Sequence, residues 1–252
     1  MALTLSVLLI SGIERGDVEP MPVCAVLFDK DGTLVDFEAT WGEATLAVLR
    51  HLADGDADMY QRLVALARID PASARFHPAS PIIAGSAADF GPDWADTLGL
   101  PGGAAFFAEI DRLYRTYAGT SLTPIAGAID AVKRLAAYGV PLGLATNDAE
   151  ASARDHLDAF GILDRFAFVA GYDSGHGPKP QPGMVLAFAE HVGCRPSEVA
   201  LLGDSLHDLH TARAAGALAV AVTTGLARAE DLAPHADIVA PDLATALRTL
   251  GW

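Results

Sequence analysis

The sequence predicts an α/β fold: a mainly parallel sheet covered by helices on both faces, with a separate helical unit inserted behind the first strand. Three observations predict it. From Thr123 onward, short apolar runs at 140–145, 166–170, 199–202, 218–222 and 238–239 alternate with helical patterns. An earlier apolar run, 23–28, leads straight into Asp29-Lys30-Asp31-Gly32-Thr33-Leu34. Between them, residues 37–121 carry helical periodicity and no convincing strand. The 252 residues are long for one ordinary domain and suit a core with an insertion. The division is residues 21–36 and 122–252 for the core, 37–121 for the helical unit, and 1–20 for an N-terminal extension.

The first strand carries the strongest chemical signal. Residues two apart on a strand point to one side, so Asp29 and Asp31 are expected to share a site at its C-terminal edge. Alone, that spacing also fits an acidic turn. In the inserted unit, 39–53 is amphipathic, with Trp41, Thr45, Val48, Leu49 and Leu52 at helical spacing. Residues 58–69 and 106–117 read as helices too. Residues 71–92 are broken by prolines and glycines, read as irregular, and hold Arg75 and His77.

Thr123-Pro124 reads as the start of a helix over 124–138, stopped by Gly139. The strand at 140–145 ends in Thr146-Asn147-Asp148, where Asn147 is expected to cap the following helix. After the strand at 166–170, a glycine- and proline-rich loop delivers Lys179 to a helix over 183–192. The strand at 199–202 ends in Gly203-Asp204-Ser205, and the next helix, 206–215, carries Asp208 in its first turn. Four strand ends thus bring Asp29 and Asp31, Thr146 and Asn147, Lys179, and Asp204 and Asp208 to one edge of the sheet. Each alone has an ordinary explanation as a cap, a turn or a solvated charge; together, in this order, they specify a site.

Composition narrows the partners. Hydrophobic residues make up 51% of the chain, enough for a sizeable core, and the formal net charge is −15. Such a chain repels nucleic acid and anionic membrane, so an anionic ligand has to be held by a metal, a lysine or helix N-termini. Residues 3–13 are apolar but too short to span a bilayer, and they lack a basic flank and a cleavage site. Residues 1–20 read as a dispensable extension from an upstream start. Cys24 and Cys194 lack metal-ligand spacing; Cys24 reads as a thiol buried in the first strand, which fits a reduced, cytoplasmic compartment.

With all four motifs in place, the chain resembles the haloacid dehalogenase superfamily. The matching residues are Asp29-Lys30-Asp31-Gly32-Thr33, Thr146-Asn147, Lys179 before a proline, and Gly203-Asp204-Ser205-Leu206-His207-Asp208. The long insertion after the first motif is similar to the helical cap of the phosphoglycolate phosphatase and β-phosphoglucomutase branch. The resemblance implies a Rossmann-like, doubly wound parallel core with an all-helical cap, in which the first and fourth motif strands are neighbours. It implies Asp29 as nucleophile and metal ligand, and Asp31 as the acid/base whose backbone carbonyl also reaches the metal. Asp204 is implied as a second ligand and Asp208 as its support, around Mg²⁺. Thr146, Asn147 and Lys179 are implied for phosphate.

Neighbouring negative charge is expected to raise the Asp31 pKa. Lys30 departs from the aliphatic residue often found there, and its side chain is expected to point away from both aspartates. In the cap, Thr40, Trp41, Arg75 and His77 are candidates for substrate contact. The implied activity is hydrolysis of small phosphorylated metabolites through an aspartyl-phosphate. Asp31 argues against a dehalogenase or phosphonatase. A sugar phosphomutase is the alternative, and a receiver-like signalling module phosphorylated on aspartate is one of another class.

Overall fold

The computed structural model describes residues 23–252, apart from 84 and 120. The expected extension, residues 1–20, lies outside that range.

The chain opens with β1 (Ala25–Phe28) and then enters four helices and a hairpin: α1 (Phe37–Ala53), α2 (Ala57–Ala67), β2 (Ile69–Asp70), β3 (Arg75–Phe76), α3 (Ala87–Leu98) and α4 (Ala104–Ala118). It returns through α5 (Ala128–Ala137), β4 (Leu142–Ala145), α6 (Glu150–Ala159), β5 (Phe168–Ala170) and α7 (Gly183–Val192). It ends with β6 (Val199–Gly203), α8 (Leu206–Ala215), β7 (Leu218–Val222), α9 (Ala229–Leu232), β8 (Ile238–Ala240) and α10 (Leu243–Thr249).

The main sheet has six strands in the order β5-β4-β1-β6-β7-β8, all parallel. β1 pairs with β4 on one side and β6 on the other, with Phe28 opposite Leu144 and Leu202. The strand order reverses here, and the crevice at a parallel sheet's C-terminal edge opens at such a point. Alternation along β1 sorts its side chains between two cores. Val26 and Phe28 pack with α5, α6 and α10, whereas Ala25 and Leu27 pack with α7 and α8. A third cluster, including Trp41, Leu49, Leu63, Phe90, Trp94 and Ile110, joins α1 to α4.

Several expectations need correction. The inserted unit is helical but not purely so, since β2 and β3 form a two-residue antiparallel ladder. The stretch read as irregular up to residue 92 holds the first half of α3, with Pro92 inside the helix. A capping box at Ser86 and Asp89, with Phe90 and Trp94 buried on the inner face, outweighs the hydrogen bond that proline removes. α5 starts at Ala128, after Gly127 in a left-handed conformation, while Pro124 bridges to Val35 instead of opening the helix. Cys24 precedes β1 and forms a disulfide with Cys194, Cα–Cα 6.7 Å, so the two are paired rather than unrelated thiols.

Candidate active site

β1 ends at Phe28, and Asp29 follows it with its amide donating to Leu202 O at 2.8 Å. The backbone then turns, with Gly32 at φ 83°. A side chain on Gly32 would collide with the Asp204 carboxylate, and Gly225, in the loop after β7, presses on the same carboxylate. These close approaches require glycine. Thr224 holds the turn by donating to Gly32 O at 2.6 Å.

Around this turn the structure gathers Asp29, Asp31, Thr146, Asn147, Lys179 and Asp204 along one crevice between the sheet edge and α1, α3 and α4. Lys179, only 6% exposed, donates from Nζ to Asp29 Oδ1 at 2.5 Å and to Asp208 Oδ1 at 2.6 Å. Asp208 is fully buried beneath the crevice lining; its Oδ2 accepts from the Ser205 hydroxyl at 2.6 Å and the Ser205 amide at 3.1 Å, capping α8. Carboxylate oxygens of Asp29, Asp204 and Asp208 lie within 4.8 Å of one another. One ammonium thus faces three buried carboxylates. Burial, with Asp208 next, pushes the Asp29 carboxyl up to about 7 despite Lys179. Burial and the charges of Asp29 and Asp208 also raise Asp204. Burial opposes the charge on Lys179, but Asp208 and Asp29 outweigh it and raise its pKa. An all-oxygen donor set short of positive charge fits a hard divalent cation such as Mg²⁺.

Thr146 Oγ1 accepts from the Asp148 amide at 3.1 Å, with Thr146 itself buried in the crevice wall. Asn147 does not cap α6, whose N-cap is Ala149. Its side-chain amide instead grips the Lys179 backbone in both directions, donating to the carbonyl at 3.1 Å and accepting from the amide at 2.8 Å. Asn147 therefore fixes the loop that delivers the lysine.

Lys30 overturns its expectation. The chain has left the strand by this position, so alternation no longer sets direction, and Nζ lies 2.7 Å from Asp31 Oδ2. Lys30 is completely buried, with Asp148 Oδ2 at 3.0 Å, His156 Nδ1 at 3.3 Å and the Trp41 ring centroid at 4.8 Å. Burial opposes its charge, but Asp148 and Asp31 outweigh that and raise its pKa. An ammonium has no acceptor, so His156 Nδ1 accepts and its other nitrogen carries the proton. Trp41 Nε1 donates to Asp31 Oδ1 at 2.5 Å. The charge nearest Asp31 is thus positive, contrary to the negative neighbourhood expected from sequence. Each Asp31 oxygen thus has one protein partner, and Asp31 itself lines the crevice.

The cap candidates divide. Trp41 lines the crevice. Thr40 does not: its hydroxyl accepts from the Thr123 amide at 3.1 Å and its carbonyl from Ser121 at 2.9 Å, so it joins the two crossings between core and cap. Arg75 and His77 line a separate open hollow with Arg68 and Asp70, and Arg75 pairs with Glu38 at 2.9 Å. Sequence reasoning missed Lys30, Asp111, Asp148 and the 224–227 loop as parts of the site. The loop follows β7 at the same sheet edge, and the strand-end rule applied once more would have found it.

Residues 23–216 match the family of haloacid dehalogenase-like hydrolases. The chain belongs to that family. It is 31% identical over 218 residues to a phosphoglycolate phosphatase of Chromobacterium violaceum, covering 82% of this chain and 88% of that protein. It is 32% identical over 212 residues to a phosphoglycolate phosphatase of Rhodospirillum rubrum, covering 81% of each. Among solved structures, a predicted phosphoglycolate phosphatase from Haemophilus somnus 129PT superposes with a TM-score of 0.65 at 22% identity, covering 90% of this chain and 97% of that one. The last likeness concerns the fold.

Proposed function

We propose that this hydrolase is a Mg²⁺-dependent phosphatase of small phosphorylated metabolites, working through a phosphoryl group carried on Asp29. The observation that carries the reading is the convergence of Asp29, Thr146, Lys179 and Asp204 on one crevice at the strand-order reversal. The likeness to phosphoglycolate phosphatases supports it.

Asp29 and Asp204 would hold the metal, with the Asp31 carbonyl as a further oxygen and Asp208 beside them. Bound there, Mg²⁺ cancels charge on the phosphate and the carboxylates. The Asp29 carboxylate attacks phosphorus, the ester oxygen–phosphorus bond breaks, and Asp31 gives a proton to the departing alkoxide. In the second half Asp31 takes a proton from water, whose oxygen attacks phosphorus and frees Asp29 and inorganic phosphate. The Lys179 ammonium faces the charge that develops on the phosphoryl oxygens, and the Thr146 hydroxyl donates to one of them. Because burial and Asp208 push Asp29 up to about 7 even with the Lys179 ammonium beside it, the nucleophile depends on further positive charge to stay ionised at neutral pH.

The test is a phosphate-release screen across small phosphorylated acids, sugars and alcohols. Mg²⁺ is expected to support release, EDTA to stop it and fresh Mg²⁺ to restore it. Release unaffected by EDTA would remove the metal. Isomerisation of a sugar phosphate without release would replace hydrolysis by a mutase reaction.

A further inference from the structure

The wall facing the phosphate end of the crevice names a substrate class, on the footing that the phosphatase reading holds. We propose that the site takes monophosphate esters of neutral, apolar alcohols and disfavours esters whose alcohol carries a second anion.

The first ground is charge. The described lining of the crevice contains Asp29, Asp31, Asp111, Asp148 and Asp204 against one ammonium, Lys179, which Asp29 and Asp208 already engage. It contains no arginine; its other basic side chain is the imidazole of His207. Lys30 lies beneath, completely buried, with Nζ 2.7 Å from Asp31, 3.0 Å from Asp148 and 3.3 Å from His156. A carboxylate on the alcohol would enter this wall with no ammonium or guanidinium to replace its hydration.

The second ground is surface. Phe37, Trp41, Ile82, Phe90, Tyr114 and Leu226 form the wall. Its polar tips are turned to protein partners: Trp41 Nε1 to Asp31, the Tyr114 hydroxyl to Thr45 at 3.0 Å, and the Ser86 hydroxyl to Asp89 at 2.6 Å. Asp111 accepts from the Tyr172 hydroxyl at 2.6 Å, and burial pushes its carboxyl up to about 6. The greater part of the surface left for an alcohol is ring and methyl, which an apolar group covers favourably. At the lip, Leu226 is 40% exposed although it is a large hydrophobe.

The experiment compares benzyl phosphate, phosphoglycolate and O-phosphoethanolamine with Mg²⁺, in the full chain and in Leu226→Arg, a change at an exposed position. Benzyl phosphate is expected to exceed phosphoglycolate in kcat/KM by about tenfold or more, and Leu226→Arg to narrow that gap several-fold. In parallel, thermal unfolding is followed with benzylphosphonate and with phosphonoacetate, neither of which can be hydrolysed as an ester. The benzyl compound is expected to raise Tm more. Phosphoglycolate or phosphoethanolamine equal to or better than benzyl phosphate would overturn the inference while leaving the phosphatase intact. Phosphate release from no ester would overturn the phosphatase, and the phosphonate pair would still decide what the wall prefers.

Discussion

Two buried lysines, one in the turn after β1 and one against Asp29, differ in the charge balance of their surroundings. Lys30 meets Asp31 and Asp148 with a neutral histidine as third partner. Burial works against ionisation of Asp148, but the Lys30 charge outweighs it and holds its carboxyl below the usual range. Lys179 meets Asp29 and Asp208 while Asp204 adds a third carboxylate, and there Asp29 and Asp204 are both raised. The first cluster sets one ammonium against two carboxylates, the second one against three. The second lacks positive charge that the protein does not supply. The same pairing of lysine with two aspartates thus stands in two different settings, and on the proposed function the third carboxylate is what suits the second to a cation.

The largest effect expected from this contrast is on turnover. Asp29→Asn replaces the proposed nucleophile by a neutral amide and is expected to cut kcat by about 10⁴-fold or more with the fold unchanged by circular dichroism. Normal turnover in that variant would end the nucleophile assignment. Asp31→Asn should cost about 10²- to 10⁴-fold on an alkyl phosphate and much less on p-nitrophenyl phosphate, whose leaving group needs no proton. Equal losses on both esters would remove Asp31 as proton donor and leave it only a partner of Lys30 and Trp41.

The next effect is on stability, and it separates the two lysines directly. Lys30→Met leaves Asp31 and Asp148 without their buried cation and is expected to cost about 3–5 kcal/mol in urea unfolding at pH 7. Lys179→Met should cost less stability, because Asp29 and Asp204 already favour protonation, while lowering kcat by about 100-fold or more. Equal destabilisation by the two substitutions would erase the distinction.

Much of this site was legible because strand ends in a parallel sheet are predictable from alternating patterns. Asp29, Thr146 and Asp204 directly follow apolar runs and Lys179 lies in the loop between β5 and α7, and it was their combination, with the family resemblance, that marked them. Lys30 was not legible: the alternation rule assumes a strand through Asp31, and the strand stops at Phe28. In the cap, β3 points Phe76 inward and Arg75 outward, and the neighbouring His77 is also exposed. Proximity in sequence to an irregular stretch could not reveal that. Asp111 and Asp148 have no tell-tale spacing; they matter because tertiary packing turns them into the crevice. The Cys24–Cys194 pair spans 170 residues, far beyond any local pattern.

The smallest expected effect sharpens the account of the Lys30 cluster. His156 is buried, and burial followed by the Lys30 charge pushes its pKa down to about 4. Unfolded, it titrates near 6.5. Between those values the unfolded chain holds a proton that the folded chain refuses, so stability falls as pH drops from 6.5 towards 4. The contribution lost by pH 5 is about 2 kcal/mol. His156→Gln keeps an acceptor for Lys30 without a titrating ring, so the difference in urea stability between pH 7 and pH 5 should shrink by about that amount. An unchanged difference would mean that His156 takes up its proton in the folded state, and a second positive charge beside Lys30 would then have to be accommodated by Asp31 and Asp148.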